Sequence, residues 1–368
     1  MDIYENRIAK AQGLMAELGV DLMALSLGSN MLYLSGFSDE PGERLLLLLV
    51  SREGDPIFLV PELYADQVCQ TSPFEDMRVW KDADDPAALL KRIAGDLGLE
   101  ESPRVLVDDS MWATFLLILE TTLPQANFDL ASQVMTPLRM QKTPDEIEHM
   151  SQAGAIADQA FEEILKLKVS RMIELELTTA LEEAMKEKGA EKIAFETLVA
   201  SGPNSALPHY RAGQREIEPG DVVILDFGCR IHGYCSDISR TIVCGEPSNE
   251  MRTIYEIVEA AQEQAVQAVK PGSEAQAIDR AARGEITQAG YGDQFIHRTG
   301  HGIGLDVHEA PYIVEGNDLK LEEGMTFSVE PGIYLPSEFG IRIEDIIVIT
   351  EAGATRLNTS THALQVVE

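Results

Sequence analysis

The sequence predicts an α+β protein in two parts, a smaller α/β domain over residues 1–132 and a larger, duplicated domain over residues 133–368. Three features point there. In the first third, short apolar runs alternate with helical patterns, as in a sheet covered by helices. In the remainder, the order helix, helix, hairpin occurs twice at a period of about 100 residues. Each of those hairpins holds two acidic residues in facing positions. The halves share no convincing residue-level identity, so the repeat is architectural.

The first domain opens with a helix over residues 4–18, where Ile8, Leu14, Met15 and Leu18 recur at helical spacing and Gly19 supplies the stop. Strand-like runs follow at Leu22–Leu27, Leu45–Val50 and Ile57–Val60, with helical patterns near Ala65–Cys69 and Pro86–Leu97. The run Leu45–Val50 could be helix or strand by periodicity. Its brevity and the turn residues after it favour a buried strand. Arg104–Val107 reads as another strand, with a helix from Met111.

The second domain starts at a helix signal in which Thr143 caps, Pro144 takes the first position, and Asp145 and Glu146 fill the first turn. Helices over 144–168 and 172–188 close at Gly189. Next comes VVILDFGCRIHGYCSDISRTIV, Val222–Val243, two strands meeting near Ile231–Gly233. Folded about that midpoint, Asp226 falls opposite Asp237. Helices over 249–269 and 273–289 follow, then a second hairpin that turns at Pro336–Gly340 and places Glu330 opposite Glu344.

Like charges facing each other across a strand pair are destabilising, so two such pairs imply a compensating cation or a shared proton. Between the hairpins His301 stands between two glycines, which would let the backbone approach ions and substrate. Four carboxylates and an imidazole form a mostly oxygen donor set suited to Mn²⁺, Co²⁺ or Fe²⁺, with Zn²⁺ tolerated. Two ions about 3.5–4 Å apart would use all four carboxylates, an arrangement fit for hydrolysis. Arg342 lies two residues before Glu344, hence on the same strand face, and reads as an orienting partner. His209, His297 and His308 each have a bland alternative as structural histidines.

Net charge is −33, from 62 acidic and 29 basic residues spread along the chain. That balance disfavours nucleic acid and anionic membrane as partners. Cys69, Cys229, Cys235 and Cys244 show no zinc-type spacing, and Cys229 and Cys235, in the first hairpin, read as buried free thiols. The N-terminus lacks the apolar core of a signal peptide, and no apolar run is long enough to span a bilayer, so a cytoplasmic location is expected.

The stretches VILDFGCRIHGYCSDISRT, HRTGHGIGLDVHE, FSVEPGIY and IRIEDIIVIT resemble the catalytic domain of the pita-bread dinuclear metallopeptidases. This is the family of prolidase, aminopeptidase P and methionine aminopeptidase. RIAKAQGLMAELGVDLMAL and NMLYLSGF are similar to the N-terminal domain of its Xaa-Pro branch, and VASGPNSALPHYRAG to a loop of the same enzymes. The resemblance implies a creatinase/aminopeptidase-like pita-bread fold. It also implies two divalent ions, Mn²⁺ first, on Asp226, Asp237, His301, Glu330 and Glu344. Substrate-contacting histidines fall on His209, His297 and His308, and proton handling on Glu330. All five ligand positions are filled, which argues against a metal-free relative or a non-catalytic peptide-binding protein. The implied activity is hydrolysis of the Xaa-Pro bond of dipeptides, with release of the first residue from longer Xaa-Pro peptides as the first alternative and another hydrolase on the same fold as the second. The partner implied is a small peptide substrate with proline second, and the chain is expected to form a homodimer.

Overall fold

A side-chain cap starts the chain. In the computed structural model, which describes residues 2–99 and 102–368, Asp2 and Glu5 form a reciprocal capping box for α1, Ile3–Leu18, and Gly19 ends it in the left-handed conformation. The helix buries Arg7, Ile8, Ala11 and Met15. Leu18, one of the periodic positions, is exposed, because Ala11 and Arg7 complete the inner face instead.

The chain divides into two units, Met1–Arg139 and Met140–Glu368. In the first unit β1 (Leu22–Leu25), α2 (Ser29–Ser35), β2 (Leu47–Ser51), β3 (Ile57–Pro61), α3 (Glu62–Thr71), β4 (Met77–Trp80) and α4 (Pro86–Asp96) come in turn. Then follow β5 (Arg104–Val107), α5 (Ala113–Thr122), β6 (Asn127–Leu130) and α6 (Ser132–Met140). The strands form one mixed sheet in the order β4-β3-β2-β1-β5-β6. The leucine run supplies β2, buried throughout except at its last residue. Strands β4 and β6, absent from the sequence reading, are the two edges of the sheet; β6 is largely exposed and β4 buries only Trp80 fully, so neither is marked by a run of buried apolar residues.

The second unit builds the same layer twice. Its first half has α7 (Pro144–Ile164), begun by a Thr143–Glu146 capping box, and α8 (Glu174–Glu187). Six strands follow: β7 (Lys192–Ile193), β8 (Leu198–Ser201), β9 (Val222–Phe227), β10 (Cys229–Ile231), β11 (Tyr234–Cys235) and β12 (Ile238–Cys244). The second half has α9 (Asn249–Ala268) and α10 (Ala275–Gln288), then β13 (Gly300–Gly302), β14 (Glu309–Ile313), β15 (Thr326–Val329) and β16 (Gly332–Leu335). It ends with β17 (Phe339–Arg342), β18 (Asp345–Thr350), β19 (Gly353–Arg356) and β20 (Gln365–Val367). Each half has its own apolar core, with Phe161, Leu177 and Leu225 in one and Ile254, Ile278 and Phe327 in the other. Cys229, Cys235 and Cys244 are buried free thiols.

Both hairpins are bent. The ladder β9–β12 gives way to β10–β11, and β15–β18 gives way to β16–β17. Asp237, Glu330 and Glu344 lie at the breaks between strands, and Asp226 is the penultimate residue of β9. The second hairpin keeps one register through its bend, from Val329 opposite Asp345 to Gly332 opposite Arg342, which aligns Glu330 with Glu344 as the fold-back anticipates. The first hairpin differs from expectation. Asp226 pairs with Ser239, because the turn is a two-residue one at His232-Gly233, both with positive φ. Asp237 is therefore a diagonal neighbour of Asp226, displaced by two residues and still on its face.

Behind Glu344 the two halves are tied by a buried ion pair. The Arg240 guanidinium, 1% exposed, donates to Asp345 at 2.7 Å and to the backbone oxygens of Glu344 and Ser360. Asp345 also accepts from Gln262, Arg356 and His362. Burial alone would raise its pKa, but Arg240 and His362 hold it down to about 2. Asp345→Asn should therefore lower the stability of the second unit by about 3–5 kcal/mol, since it strands buried arginine charge. Urea denaturation of the metal-stripped protein measures this, and a loss under about 1 kcal/mol would show the pair to be dispensable.

Candidate metal centre

The bends bring the acidic side chains to one cavity of about 330 Å³, which Asp226, Asp237, Glu330 and Glu344 line together with His301. Donor atoms of Asp237, His301 and Glu344 lie within 4.8 Å of one another. His301 Nε2 is 3.7 Å from Asp237 Oδ2 and 3.3 Å from Glu330 Oε1.

The glycines around His301 are required by neighbouring strands. A Cβ on Gly300 would collide with the backbone oxygen of Ser328, and one on Gly302 with that of Ala310. With both absent, β13 fits between β14 and β15 and holds His301 over the cavity.

The protonation pattern follows from the partners. His301 Nδ1 lies 3.1 Å from the carbonyl oxygen of Gly302, an acceptor only, so Nδ1 carries the hydrogen. Burial lowers the pKa of this ring to about 4, so near neutral pH it is uncharged and turns the Nε2 lone pair toward two carboxylate oxygens. Burial, then the neighbouring carboxylates, pushes Asp237 and Glu344 well above the usual carboxylate range. Asp226 Oδ1, Asp237 Oδ1 and Glu344 Oε1 are buried without a hydrogen-bond partner. Lone pairs facing lone pairs, with buried acceptors left over, are what a divalent cation satisfies. The donor set fits one, and these oxygens with His301 Nε2 are the groups that could hold it.

Arg342 lies where strand alternation puts it. Its Nη2 donates to Asp226 Oδ2 at 2.6 Å and its Nε to Ser239 Oγ at 2.8 Å, while Ser239 Oγ donates to Glu344 Oε2 at 2.7 Å. Its Nη1 donates to Tyr334 OH, which is 2.9 Å from His297 Nε2. His297 Nδ1 faces the Arg298 carbonyl oxygen at 2.7 Å. His297 thus lines the cavity with both nitrogens engaged by the protein. The His308 ring lies against His301 at a tilt of 46° with ring centroids 4.1 Å apart, and desolvation together with the His301 and Arg298 neighbours lowers its pKa to about 4. His209 is exposed at the wall. Sequence reading missed Tyr334 and Ser239, although each has a signal: both fall at even spacing after a site residue that stands just before their strand, Glu330 and Asp237.

A buried carboxylate and imidazole centre on a twice-built helix–helix–hairpin scaffold defines a metallohydrolase. A family model described as metallopeptidase family M24 matches residues 148–351, and one for the Creatinase/Prolidase N-terminal domain matches residues 7–141. The chain belongs to metallopeptidase family M24. It is 38% identical over 361 residues to an Xaa-Pro dipeptidase of Pyrococcus furiosus, covering 98% of this chain and 99% of the relative. Against a Mycobacterium tuberculosis protein named probable dipeptidase PepE it is 38% identical over 370 residues, covering 100% and 97%. A crystal structure of prolidase from Thermococcus sibiricus superposes with TM-score 0.96 at 39% identity over 100% of both chains.

One titration checks the geometry. A depressed histidine pKa means that His301 contributes stability above its ordinary pKa of 6.5, and that this drains as pH falls from 6.5 toward about 4. In metal-stripped protein, NMR should find His301 titrating near 4. In Gly300→Ala the displaced ring should titrate closer to 6.5, with the acid-side stability loss reduced. An unchanged titration would show that Gly300 does not set the position of the ring.

Proposed function

We propose that this chain is a metal-dependent Xaa-Pro dipeptidase, hydrolysing the bond before proline in dipeptides. The observation carrying the reaction class is the set of orphaned carboxylate oxygens around a neutral His301. Choice of the bond rests on full-length likeness to proteins named Xaa-Pro dipeptidase and prolidase. A cavity of about 330 Å³, at the small end of ligand sites, suits a dipeptide. The second reading, release of the first residue from longer peptides, is favoured by likeness to an X-Pro aminopeptidase from Thermotoga maritima, TM-score 0.88 at 35% identity.

Asp226, Asp237, His301, Glu330 and Glu344 would hold two divalent ions, with Mn²⁺ first for so oxygen-rich a set. Such ions, when bound, supply Lewis-acid polarisation and lower the pKa of water. The protein's own groups do the rest. The Glu330 carboxylate, steadied by Ser328 Oγ at 3.0 Å, takes the proton of the attacking water and delivers it to the proline nitrogen as the C–N bond breaks. His308, neutral at working pH, donates an N–H to the oxyanion developing on the carbonyl. Arg342 fixes Asp226 and, through Tyr334, the His297 wall, while His209 contacts the bound peptide from the opposite loop. The reading includes a homodimer in the cytoplasm; among the described residues, no helix is long and apolar enough to cross a membrane.

Elemental analysis should find about two divalent ions per active chain, and chelation should abolish Xaa-Pro cleavage. Active enzyme without metal would end this reading. His308→Ala should lower kcat by roughly 10²–10³-fold with metal content unchanged, as for loss of an oxyanion donor. A variant that loses metal yet keeps its activity per bound ion would show that His308 serves the centre instead.

A further inference from the structure

Two buried carboxylates have no part in the metal centre, and each lies on the second helix of its half, Glu174 at the start of α8 and Asp279 one turn into α10. Glu174 opens α8 and is fully buried. Its Oε1 accepts from Ser201 N at 2.9 Å, Ser201 Oγ at 2.7 Å and Asn204 Nδ2 at 2.9 Å. Its Oε2 accepts from Tyr210 OH at 2.9 Å and Gly213 N at 3.1 Å. All five donors belong to residues 201–213, the segment that brings Pro208, His209, Tyr210 and Arg211 to the cavity. In the other half, Asp279 on α10 is also fully buried and accepts from Thr299 N at 3.1 Å and Thr299 Oγ1 at 2.8 Å. Its ion-pair partner Arg283 donates to the carbonyl oxygens of Phe295 and His297. Neither carboxylate lines the cavity.

We infer that the second helix of each half carries a positioning carboxylate for the cavity wall of that half, Glu174 for the His209 segment and Asp279 for the His297 segment. The kinetic consequence rests on the peptidase reading above. A carboxylate accepts at both oxygens, so it can gather main-chain and side-chain donors from a segment with little regular structure. Ser201 N–H and Gly213 N–H cannot turn away, so a carboxamide in this place leaves at least one of them facing an NH₂ group. The His209 segment holds none of the metal-ligating residues, so loosening it acts on peptide binding. The other segment differs, because the Thr299 carbonyl oxygen accepts from Glu330 N at 2.8 Å. Loosening it reaches the metal centre.

The test compares Glu174→Gln with Asp279→Asn in full-length, metal-loaded protein. Glu174→Gln should raise KM for an Xaa-Pro dipeptide about 10-fold, with kcat within about 3-fold and metal content unchanged. Hydrogen exchange should accelerate in residues 201–213 alone. Asp279→Asn should accelerate exchange in residues 295–299 and release metal faster to a chelator. A lower Tm for both variants, with KM, metal retention and local exchange as in wild type, would mean that these carboxylates serve only the fold and would overturn the inference. Should Glu174→Gln fail to fold, Asn204→Ala leaves the carboxylate four of its donors and should raise KM more modestly; an unchanged KM there also counts against it. If the wild type cleaves no Xaa-Pro dipeptide, the peptidase reading fails, while the exchange data still decide the positioning role.

Discussion

Four carboxylates share one cavity in this protein, and the surrounding structure answers their repulsion. Asp237 and Glu344 are almost wholly buried, Asp226 and Glu330 partly so, and the arginine bonded to them, Arg342, reaches only Asp226 directly. One guanidinium cannot neutralise four acids in a medium where unscreened charge is costly. The folded chain therefore needs protons or cations at this point. The raised pKa values of Asp237 and Glu344 record the first option and the orphaned oxygens invite the second.

Bending the hairpins is how the fold reaches this state. A straight antiparallel ladder would spread its side chains along a sheet face, whereas each hairpin here breaks into two ladders and places acids where the break falls. Glycines at 300 and 302 permit the close strand approach that adds His301. The chain Asp226, Arg342, Tyr334, His297 then carries orientation from the acids to the wall of the cavity. The buried Arg240–Asp345 pair holds the hairpins of the two halves together from behind.

Much of this was legible in sequence because it is local. Strand alternation and turn chemistry placed Glu330 opposite Glu344 and put Arg342 on their face. The first hairpin lies two residues away from the simple fold-back, because Ile231 stays in the strand and the turn needs only His232 and Gly233. Histidine is one of the non-glycine types enriched at positive φ, and the glycine after it adopts such a φ freely. The short edge strands β4 and β6 escaped because each is only four residues long and has at most one fully buried side chain. Glu174, Asp279 and Arg240 escaped for a different reason. A buried charge is satisfied by partners far along the chain, such as Ser201, Thr299 and Asp345, and no spacing rule reaches that distance.

The most direct test of the repulsion argument is the melting of wild type and Asp237→Asn, each with and without added Mn²⁺. Asp237→Asn removes a proposed ligand and relieves repulsion at once. The expected result is that the variant without metal melts no lower than metal-free wild type, yet gains far less from Mn²⁺, since stabilisation follows the ratio of free metal to Kd. A variant that unfolds well below wild type without metal would contradict it, by showing that Asp237 is held by a partner within the protein.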